Sequence, residues 1–237
     1  MTQVSETHSD IEAARVDVPF DGADVVTYVV KPKEGGNLPS VVILHENTGT
    51  RAHFENLARR LALEGFIAAV PDALSLVGGT PTHAADATAL IKELDRPHTV
   101  SLYGAVVTYL KNRDDANGKV GALGFCWGGG MANQLAIHAS DLTAAIVFYG
   151  GSPADEDVAK IRVPLHLNYA ELDERINAGV PGYEAALKAA GKPYELHMYE
   201  GAGHAFFNED RDDRYHQASS ELAWPRILAF LKRELAS

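Results

Sequence analysis

The sequence has only one cysteine and no long apolar run, and these two scarcities exclude several classes of protein. Its single thiol, Cys126, cannot form an internal disulfide, so nothing indicates an oxidising compartment. No segment approaches the roughly 20 apolar residues that a membrane-spanning helix needs. Residues 1–10 are polar and lack the basic start and apolar middle of a signal peptide. We therefore expect a cytoplasmic protein with no membrane partner.

The chain also has no excess of basic residues over acidic ones. The 237-residue chain carries a formal net charge of −11, which disfavours binding to nucleic acid. Hydrophobic residues make up 46% of the chain, and a chain of this length can bury a core without disulfides or metals. No internal repeat and no low-complexity run is present. We expect a single domain over residues 13–237 after a disordered tail over residues 1–12, present as a monomer or a homodimer.

The pattern of hydrophobic residues changes at about residue 40. Residues 14–20 and 23–31 alternate like the strands of a hairpin, with Asp21-Gly22 at its turn. From residue 40 onward, short apolar runs alternate with helical patterns. We therefore predict an α/β fold, with a mostly parallel sheet, an N-terminal antiparallel hairpin and helices on both faces. The predicted strands are residues 40–44, 66–71, 120–123, 144–149, 163–168 and 194–199, and the predicted helices are residues 52–64, 83–94, 98–112, 127–139, 180–190 and 215–235.

The only thiol lies in a glycine-rich stretch directly after the predicted strand 120–123. Gly124-x-Cys126-x-Gly128 has the form of a nucleophile elbow, a tight strand-to-helix turn that needs small residues two positions before and after the nucleophile. The start of the following helix favours negative charge, so we expect it to lower the pKa of the thiol. The alternative interpretation is a small buried cysteine that only packs.

Motifs for phosphate, dinucleotide and metal binding are absent. The glycines at 128–130 are not followed by Gly-Lys-Ser/Thr, and G-x-G-x-x-G spacing is missing. His45-Glu46 begins like the zinc-binding motif H-E-x-x-H, but Gly49 occupies the position of its second histidine. We therefore expect no cofactor and no metal.

A thiol nucleophile needs a base, and the base needs an orienting acid. Asp173 lies just past the predicted strand 163–168, and His204 lies in a glycine-rich loop just past the strand 194–199. In open parallel sheets, ligands bind beyond the carboxyl ends of the strands. The chain order of nucleophile, acid and histidine is that of the α/β-hydrolase fold. We therefore predict that Cys126, Asp173 and His204 form a catalytic triad.

Other polar residues near the strand ends have alternative interpretations. Glu171 and Glu174 are the replacement acids if Asp173 is misplaced. His166 and His197 lie inside predicted strands, so we interpret them as surface or packing residues.

The loop after the first buried strand carries the third feature. In this fold that loop supplies one amide of the oxyanion hole, and the residue after the nucleophile supplies the other. We assign these roles to the backbone N–H groups of Asn47 and Trp127. Glu46 is adjacent to Asn47, and we favour a catalytic role for it over a simple ion pair.

Together these stretches resemble the dienelactone hydrolase family. Residues 124–129 resemble its G-[FY]-C-x-G-G elbow, residues 45–49 its glutamate-bearing loop and residues 201–206 its histidine loop. The resemblance covers nearly all of residues 14–235. It implies a Cys-His-Asp triad without a cofactor, and a glutamate, here Glu46, that contacts the resting thiol and helps to generate the thiolate when substrate arrives.

One position departs from the resemblance. The family carries an arginine four residues after the histidine that helps to bind the substrate carboxylate, whereas this chain has Asn208 there. An uncharged amide loses the charge-assisted contact, so we expect dienelactone itself to bind poorly. Arg51, Arg96, Arg211 and Arg214 are the candidates to replace the missing charge.

The segment between the predicted strands 144–149 and 163–168 is too short for a cap domain, so we predict an open site. Phe206, Phe207 and Asn208 are expected to line its pocket.

The function that these features favour is thiol-dependent hydrolysis of small esters or lactones through a thioester acyl-enzyme. The alternatives are a promiscuous thiol hydrolase of activated aryl or phosphoryl esters and a non-catalytic redox-sensing thiol protein. The redox alternative needs a resolving thiol or a partner, and Cys126 is the only cysteine.

Overall fold

A computed structural model describes residues 2–236, in which eight strands form one sheet. The strands are β1 (Ile11–Phe20), β2 (Ala23–Pro32), β3 (Leu38–Leu44), β4 (Ile67–Pro71), β5 (Ala116–Phe125), β6 (Ala144–Phe148), β7 (Leu165–Ala170) and β8 (Tyr194–Tyr199). The helices are α1 (Ala52–Leu63), α2 (Ala84–Glu93), α3 (Arg96–Lys111), α4 (Trp127–His138), α5 (Asp155–Val158), α6 (Glu174–Asn177), α7 (Val180–Ala189) and α8 (Gln217–Glu234). A short 3₁₀ helix spans Ser75–Val77.

The sheet has the strand order β1-β2-β4-β3-β5-β6-β7-β8. Strand β2 pairs antiparallel with both β1 and β4, and every later pair, from β3–β4 to β7–β8, is parallel. The predicted architecture of an N-terminal antiparallel hairpin followed by a mostly parallel sheet is confirmed. Because β3, β5, β7 and β8 run in the same direction, their carboxyl ends lie at one edge of the sheet.

Apolar residues cover both faces of the sheet. Val42 and Leu44 of β3 belong to the hydrophobic cluster that includes α3 and α4, whereas Val41 and Ile43 belong to the cluster that includes α1 and α8. Successive strand residues point to opposite faces, so a continuous apolar run fills both layers. This explains why the buried strands appear in the sequence as unbroken apolar stretches.

The N-terminal segment differs from its prediction. Residues 1–12 were expected to form a disordered tail, but β1 begins at Ile11, and Thr2 and Val4 are hydrogen-bonded to α1. The Val4 N–H donates to Asn56 Oδ1 at 2.8 Å, and Arg59 Nε donates to the Val4 carbonyl at 2.7 Å. These partners come from a helix distant in sequence, which is why local composition did not indicate them. Residue 1, like residue 237, lies outside the described residues.

Within residues 2–236, no cap domain stands over the carboxyl ends of the strands. Between β6 and β7 the chain holds only the four-residue helix α5, in agreement with the predicted absence of a cap domain. None of the helices within residues 2–236 combines the length and the apolar character needed to cross a bilayer.

Candidate active site

Cys126 stands at a sharp turn between β5 and α4. Its backbone has φ 55° and ψ −114°, a conformation that a residue with a side chain rarely adopts. The turn is held by two main-chain hydrogen bonds, from Cys126 N–H to the Phe148 carbonyl at 3.0 Å and from Gly130 N–H to the Cys126 carbonyl at 3.2 Å. The arrangement projects the sulfur from the carboxyl end of β5, as the nucleophile elbow pattern predicted.

The glycines on either side of Cys126 are required by close backbone contacts. A Cβ atom on Gly124 would lie 2.1 Å from the Gly128 carbonyl oxygen, and one on Gly128 would lie 2.3 Å from the Leu44 carbonyl oxygen. Gly129 also approaches Gly150, where a Cβ atom would lie 2.9 Å from the Gly150 Cα. No side chain fits in these gaps, because the obstructing atoms belong to the backbone. The glycine cluster therefore serves the turn and the close packing of α4.

The sulfur lies beside an imidazole that a carboxylate holds. His204 Nε2 is 3.0 Å from Cys126 Sγ, and His204 Nδ1 is 2.5 Å from Asp173 Oδ2. The His204 side chain is 20% exposed and that of Asp173 is 6% exposed, so the base is open to solvent while the acid is buried. The structure brings these three predicted residues together, in an arrangement that can transfer the thiol proton to the imidazole.

Asp173 is held in place by the helix that it begins. Its Oδ1 accepts a hydrogen bond from the Ile176 N–H at 3.4 Å, which makes Asp173 the N-cap of α6. The other carboxylate oxygen is then directed at His204. The two replacement acids, Glu171 and Glu174, are both exposed. Glu171 Oε2 instead accepts from the Gly201 N–H at 2.8 Å and so supports the loop that leads to His204.

Glu46 is buried at the end of β3 and is hydrogen-bonded by two other residues. Tyr149 Oη donates to its Oε1 at 3.2 Å, and Asn208 Nδ2 donates to its Oε2 at 3.1 Å. Burial raises the pKa of Glu46, although these hydrogen bonds and the nearby His204 oppose the shift. Asn208, which was predicted to line the substrate pocket, is itself buried and serves as a partner of Glu46 instead.

The resting thiol is protonated, contrary to the expectation that the helix start would lower its pKa. Burial, and then the negative charge of Glu46, raise the pKa of Cys126 to about 11. The Trp127 N–H at the start of α4 acts in the predicted direction but is outweighed. Two tertiary effects therefore exceed the local effect of the helix terminus.

His45 organises the wall next to the sulfur. Its Nδ1–H donates to the Glu46 carbonyl at 2.7 Å, its Nε2 accepts from the Ala73 N–H at 3.2 Å, and its ring stacks on Trp127. Both ring nitrogens are thus used within the protein. Asn47 and Trp127, the two residues assigned to the oxyanion hole, line the same cavity as Cys126.

A cavity of about 560 Å³ opens beside Cys126. Three of its lining residues are cationic, and none is acidic. Lys92, Arg96 and Arg175 are exposed at its rim, and none of them forms an ion pair within residues 2–236. The apolar part of the lining comes from Ile91, Leu94, Trp127, Met131 and Ile176. The cavity is therefore suited to a small molecule with an apolar body and a negative charge.

Two predicted pocket residues lie elsewhere. Phe206 and Phe207 are fully buried and pack in the hydrophobic cluster with Phe125 and Phe148, so the prediction that they line the pocket is wrong. They follow His204 in sequence, but Ala205 has a φ of 67°, and the two rings enter the core.

Arginines at positions other than 208 line the cavity beside Cys126. Of the four candidates, Arg96 lines the cavity beside Cys126, whereas Arg51, Arg211 and Arg214 do not. Arg175, which the sequence patterns did not single out, also lines it, and its charge acts on the Cys126 thiol by lowering the pKa. The one sequence signal that could have indicated Arg175 as a cavity residue is its position two residues after Asp173.

Comparisons with known proteins agree with these features. The sequence model of the dienelactone hydrolase family matches residues 25–235. A protein of Escherichia coli O157:H7 named "Putative carboxymethylenebutenolidase" is 32% identical over 248 residues, which cover 98% of this chain and 91% of the relative.

Solved structures show the same architecture. The crystal structure of a "Putative Dienelactone Hydrolase" from Klebsiella pneumoniae is 26% identical, with a TM-score of 0.87 over 93% of this chain and 98% of that chain. A dienelactone hydrolase-like promiscuous phosphotriesterase from metagenomic libraries has a TM-score of 0.88 over 96% of this chain and 100% of that one. At 22% identity, the second likeness concerns the fold alone.

Proposed function

Because this chain belongs to the dienelactone hydrolase family, we propose that it hydrolyses small esters or lactones through a thioester on Cys126. His204 is the base and Asp173 is the orienting acid, within one catalytic domain over residues 13–237. The observation that carries this proposal is the unbroken contact from Cys126 Sγ through the His204 ring to Asp173 Oδ2, with distances of 3.0 and 2.5 Å, at the wall of an open cavity.

The reaction begins with removal of the thiol proton by His204, or first by Glu46. The thiolate forms a C–S bond with the carbonyl carbon, and the backbone N–H groups of Asn47 and Trp127 stabilise the oxyanion, each by about 3 kcal/mol. The C–O bond then breaks as the leaving alkoxide takes a proton from the group that removed it from the thiol, His204 or Glu46. Water attacks the thioester, which releases the acid and restores the thiol.

The raised pKa of the thiol also weighs against a redox-sensing function. Oxidation by peroxide proceeds through the thiolate, and a thiol with a pKa of about 11 holds only about one thiolate in ten thousand molecules at pH 7. No second cysteine is present to resolve a sulfenic acid. Both points favour hydrolysis, in which substrate binding precedes deprotonation.

The substrate class is tested by a panel of small esters. The panel contains a neutral aryl acetate, a carboxylate-bearing aryl monoester, a simple lactone, a dienelactone and an aryl phosphotriester. The phosphotriester is included because one protein with the same fold is described as a promiscuous phosphotriesterase. We expect carboxylic esters or lactones to give the highest kcat/KM. Hydrolysis of the phosphotriester alone would overturn the proposal.

We expect the rim cations to select carboxylate-bearing substrates. Arg96→Gln and Arg175→Gln should each raise KM for the carboxylate-bearing ester about 2- to 5-fold, because an exposed charge pair contributes at most about 1 kcal/mol. The neutral ester should be unaffected, and added salt should reduce the difference between the two substrates. Initial rates for both esters measure this.

Arg162→Gln is the matched control for these variants, because Arg162 is an exposed arginine that does not line the cavity. It should leave both KM values unchanged. Equal losses for the neutral and the charged ester in the Arg96 and Arg175 variants would contradict the assignment.

The pH dependence of Cys126 alkylation tests the role of Glu46. The folded pKa of the thiol is raised to about 11, so reaction with iodoacetamide should be slow at pH 7 and accelerate as the pH rises toward that value. In Glu46→Gln the negative charge is lost, so the thiol pKa falls and alkylation at pH 7 becomes faster, by about tenfold for each unit of pKa. Turnover of esters should fall in the same variant.

Glu174→Gln, which removes an exposed carboxylate near Asp173, is the control for that measurement. Its alkylation profile should match the parent protein. If Glu46→Gln alkylates at the parent rate across the pH range, Glu46 does not control the thiol.

A further inference from the structure

A cluster of two histidines and a glutamate lies on β7 and β8, apart from the active-site cavity. His166 of β7 is in register with Glu195 of β8, and His197 follows two residues later, so the three side chains share one face of the sheet. None of them lines the cavity beside Cys126. Their local sequence patterns indicate only strand residues, because the pairing of β7 with β8 is what brings them together.

The ligating atoms of these residues converge. His166 Nε2 lies 3.8 Å and His197 Nε2 lies 3.7 Å from Glu195 Oε2, and all three atoms lie within 4.8 Å of one another. Within residues 2–236 neither Nε2 atom has a hydrogen-bond partner, although both atoms are buried. The His166 side chain is 0% exposed. Buried polar atoms are usually paired, so two such nitrogens facing one carboxylate form a candidate ligand set.

We propose that His166, His197 and Glu195 bind a divalent transition-metal ion, with Zn²⁺ the best match, through the two Nε2 atoms and Oε2. Two imidazoles and one carboxylate are a donor set typical of Zn²⁺ and related metals. Bond lengths of about 2.0–2.2 Å place tetrahedral donors about 3.3–3.6 Å apart. Glu195 Oε2 must therefore approach each Nε2 by a few tenths of an ångström, and the ligating atoms that are up to 4.8 Å apart must close by about 1 Å. His197 and Glu195 can move because their side chains are 26% and 39% exposed. A water molecule would complete a four-coordinate site.

Two neighbouring residues, Arg233 and Asn168, affect metal binding by the cluster. Arg233 Nη2 donates to Glu195 Oε1 at 2.7 Å, which orients the carboxylate and leaves Oε2 for the ion. His166 Nδ1 lies 3.0 Å from the Asn168 amide nitrogen, so metal at Nε2 requires the proton to move to Nδ1. Asn168 Oδ1 accepts from Tyr199 Oη at 2.9 Å, so a half-turn of the amide, which presents this oxygen to the Nδ1 proton, requires the Tyr199 hydroxyl to accept from the amide nitrogen instead.

Nearby cations limit the affinity. The guanidinium groups of Arg226 and Arg233 are close enough to act electrostatically on His166, and they oppose a second positive charge. The Glu195 carboxylate offsets part of this repulsion. Bound metal would join β7 to the sheet-edge strand β8, whose carboxyl ends lead to Asp173 and His204. It would therefore stabilise the frame of the active site without entering the reaction.

The test uses the full chain carrying Cys126→Ala, which removes the thiol as a competing metal ligand. Calorimetric titration of this protein with Zn²⁺ after chelator treatment should give one bound ion per chain, and excess Zn²⁺ should raise its melting temperature. Co²⁺ should give the visible absorption bands of a four- or five-coordinate ion. Adding His197→Gln or Glu195→Gln should weaken binding at least tenfold.

His138→Gln is the matched control, because His138 is an exposed histidine at the end of α4. It should leave the affinity unchanged. The proposal is overturned if the Cys126→Ala protein binds no Zn²⁺, or if a folded His197→Gln and a folded Glu195→Gln variant both bind it as tightly as their parent. Since both residues are part-exposed on an edge strand, the variants are expected to fold, and circular dichroism checks this.

Discussion

Replacing Cys126 with alanine should lower kcat for an activated ester by about 10⁴-fold or more. Among residues 2–236, the sulfur is the only nucleophile in contact with His204 Nε2, at 3.0 Å, and alanine cannot form the acyl-enzyme. The loss should appear in kcat rather than in KM, because the cavity walls are unchanged. Steady-state rates with p-nitrophenyl acetate measure the effect.

The fold of this variant should be intact. Alanine has the same Cβ as cysteine, so the backbone at φ 55° is no more strained than before. Far-ultraviolet circular dichroism and the melting temperature should match the parent protein. Cys126→Ser should keep a small fraction of the activity at most, since a hydroxyl is harder to deprotonate than a thiol. Wild-type rates in the folded alanine variant would exclude Cys126 as the nucleophile.

Gly128→Ala should have the largest effect on stability. The added Cβ would lie 2.3 Å from the Leu44 carbonyl oxygen and 2.4 Å from that of His45, and both atoms belong to the backbone at the end of β3. Relief of this contact requires movement of the strand or of α4, so we expect a loss of about 3 kcal/mol or more in the free energy of unfolding. Turnover should fall as well, because the same movement displaces Cys126.

Gly182→Ala is the control for that substitution. Gly182 lies in α7, and no atom stands within 4 Å of the position that its Cβ would take. Alanine there should stabilise the helix by about 0.5–1 kcal/mol. Urea denaturation measures the free energy of unfolding of both variants and of the parent protein. An unchanged midpoint for Gly128→Ala would show that the turn is looser than the structure indicates.

The sequence indicates the catalytic candidates because their signals are local. Cys126 sits among glycines that a tight turn needs, and His204 and Asp173 each follow a recognisable buried strand. The rule that parallel strands end at one edge then places them close together. The order of strands and helices was accessible for the same reason, since apolar runs and helical periodicity are properties of short segments.

The features of the site that the sequence did not indicate depend on tertiary contacts. The cavity wall includes Arg175, which the sequence patterns did not single out, and Arg96, which was one of four candidate arginines. The two side chains come together only in the folded chain. Phe206 and Phe207 were expected in the pocket from their place after His204, but the turn at Ala205 sends them into the core.

The raised pKa of the Cys126 thiol also results from tertiary contacts. A helix start is visible in the sequence, and it predicts a lowered pKa for Cys126. Burial and the charge of Glu46 come from the folded chain, and they raise it instead. The resting enzyme therefore holds a protonated, weakly reactive thiol, a property that no local pattern expresses.

The most direct test of the account is detection of the covalent intermediate. The protein is mixed with excess p-nitrophenyl acetate, quenched in acid within the first turnover, digested and examined by mass spectrometry. The account predicts one acetyl group, attached as a thioester to the peptide that contains Cys126 and released by hydroxylamine. Rapid hydrolysis with no acylated Cys126 peptide, or with the acetyl group on another residue, would contradict it.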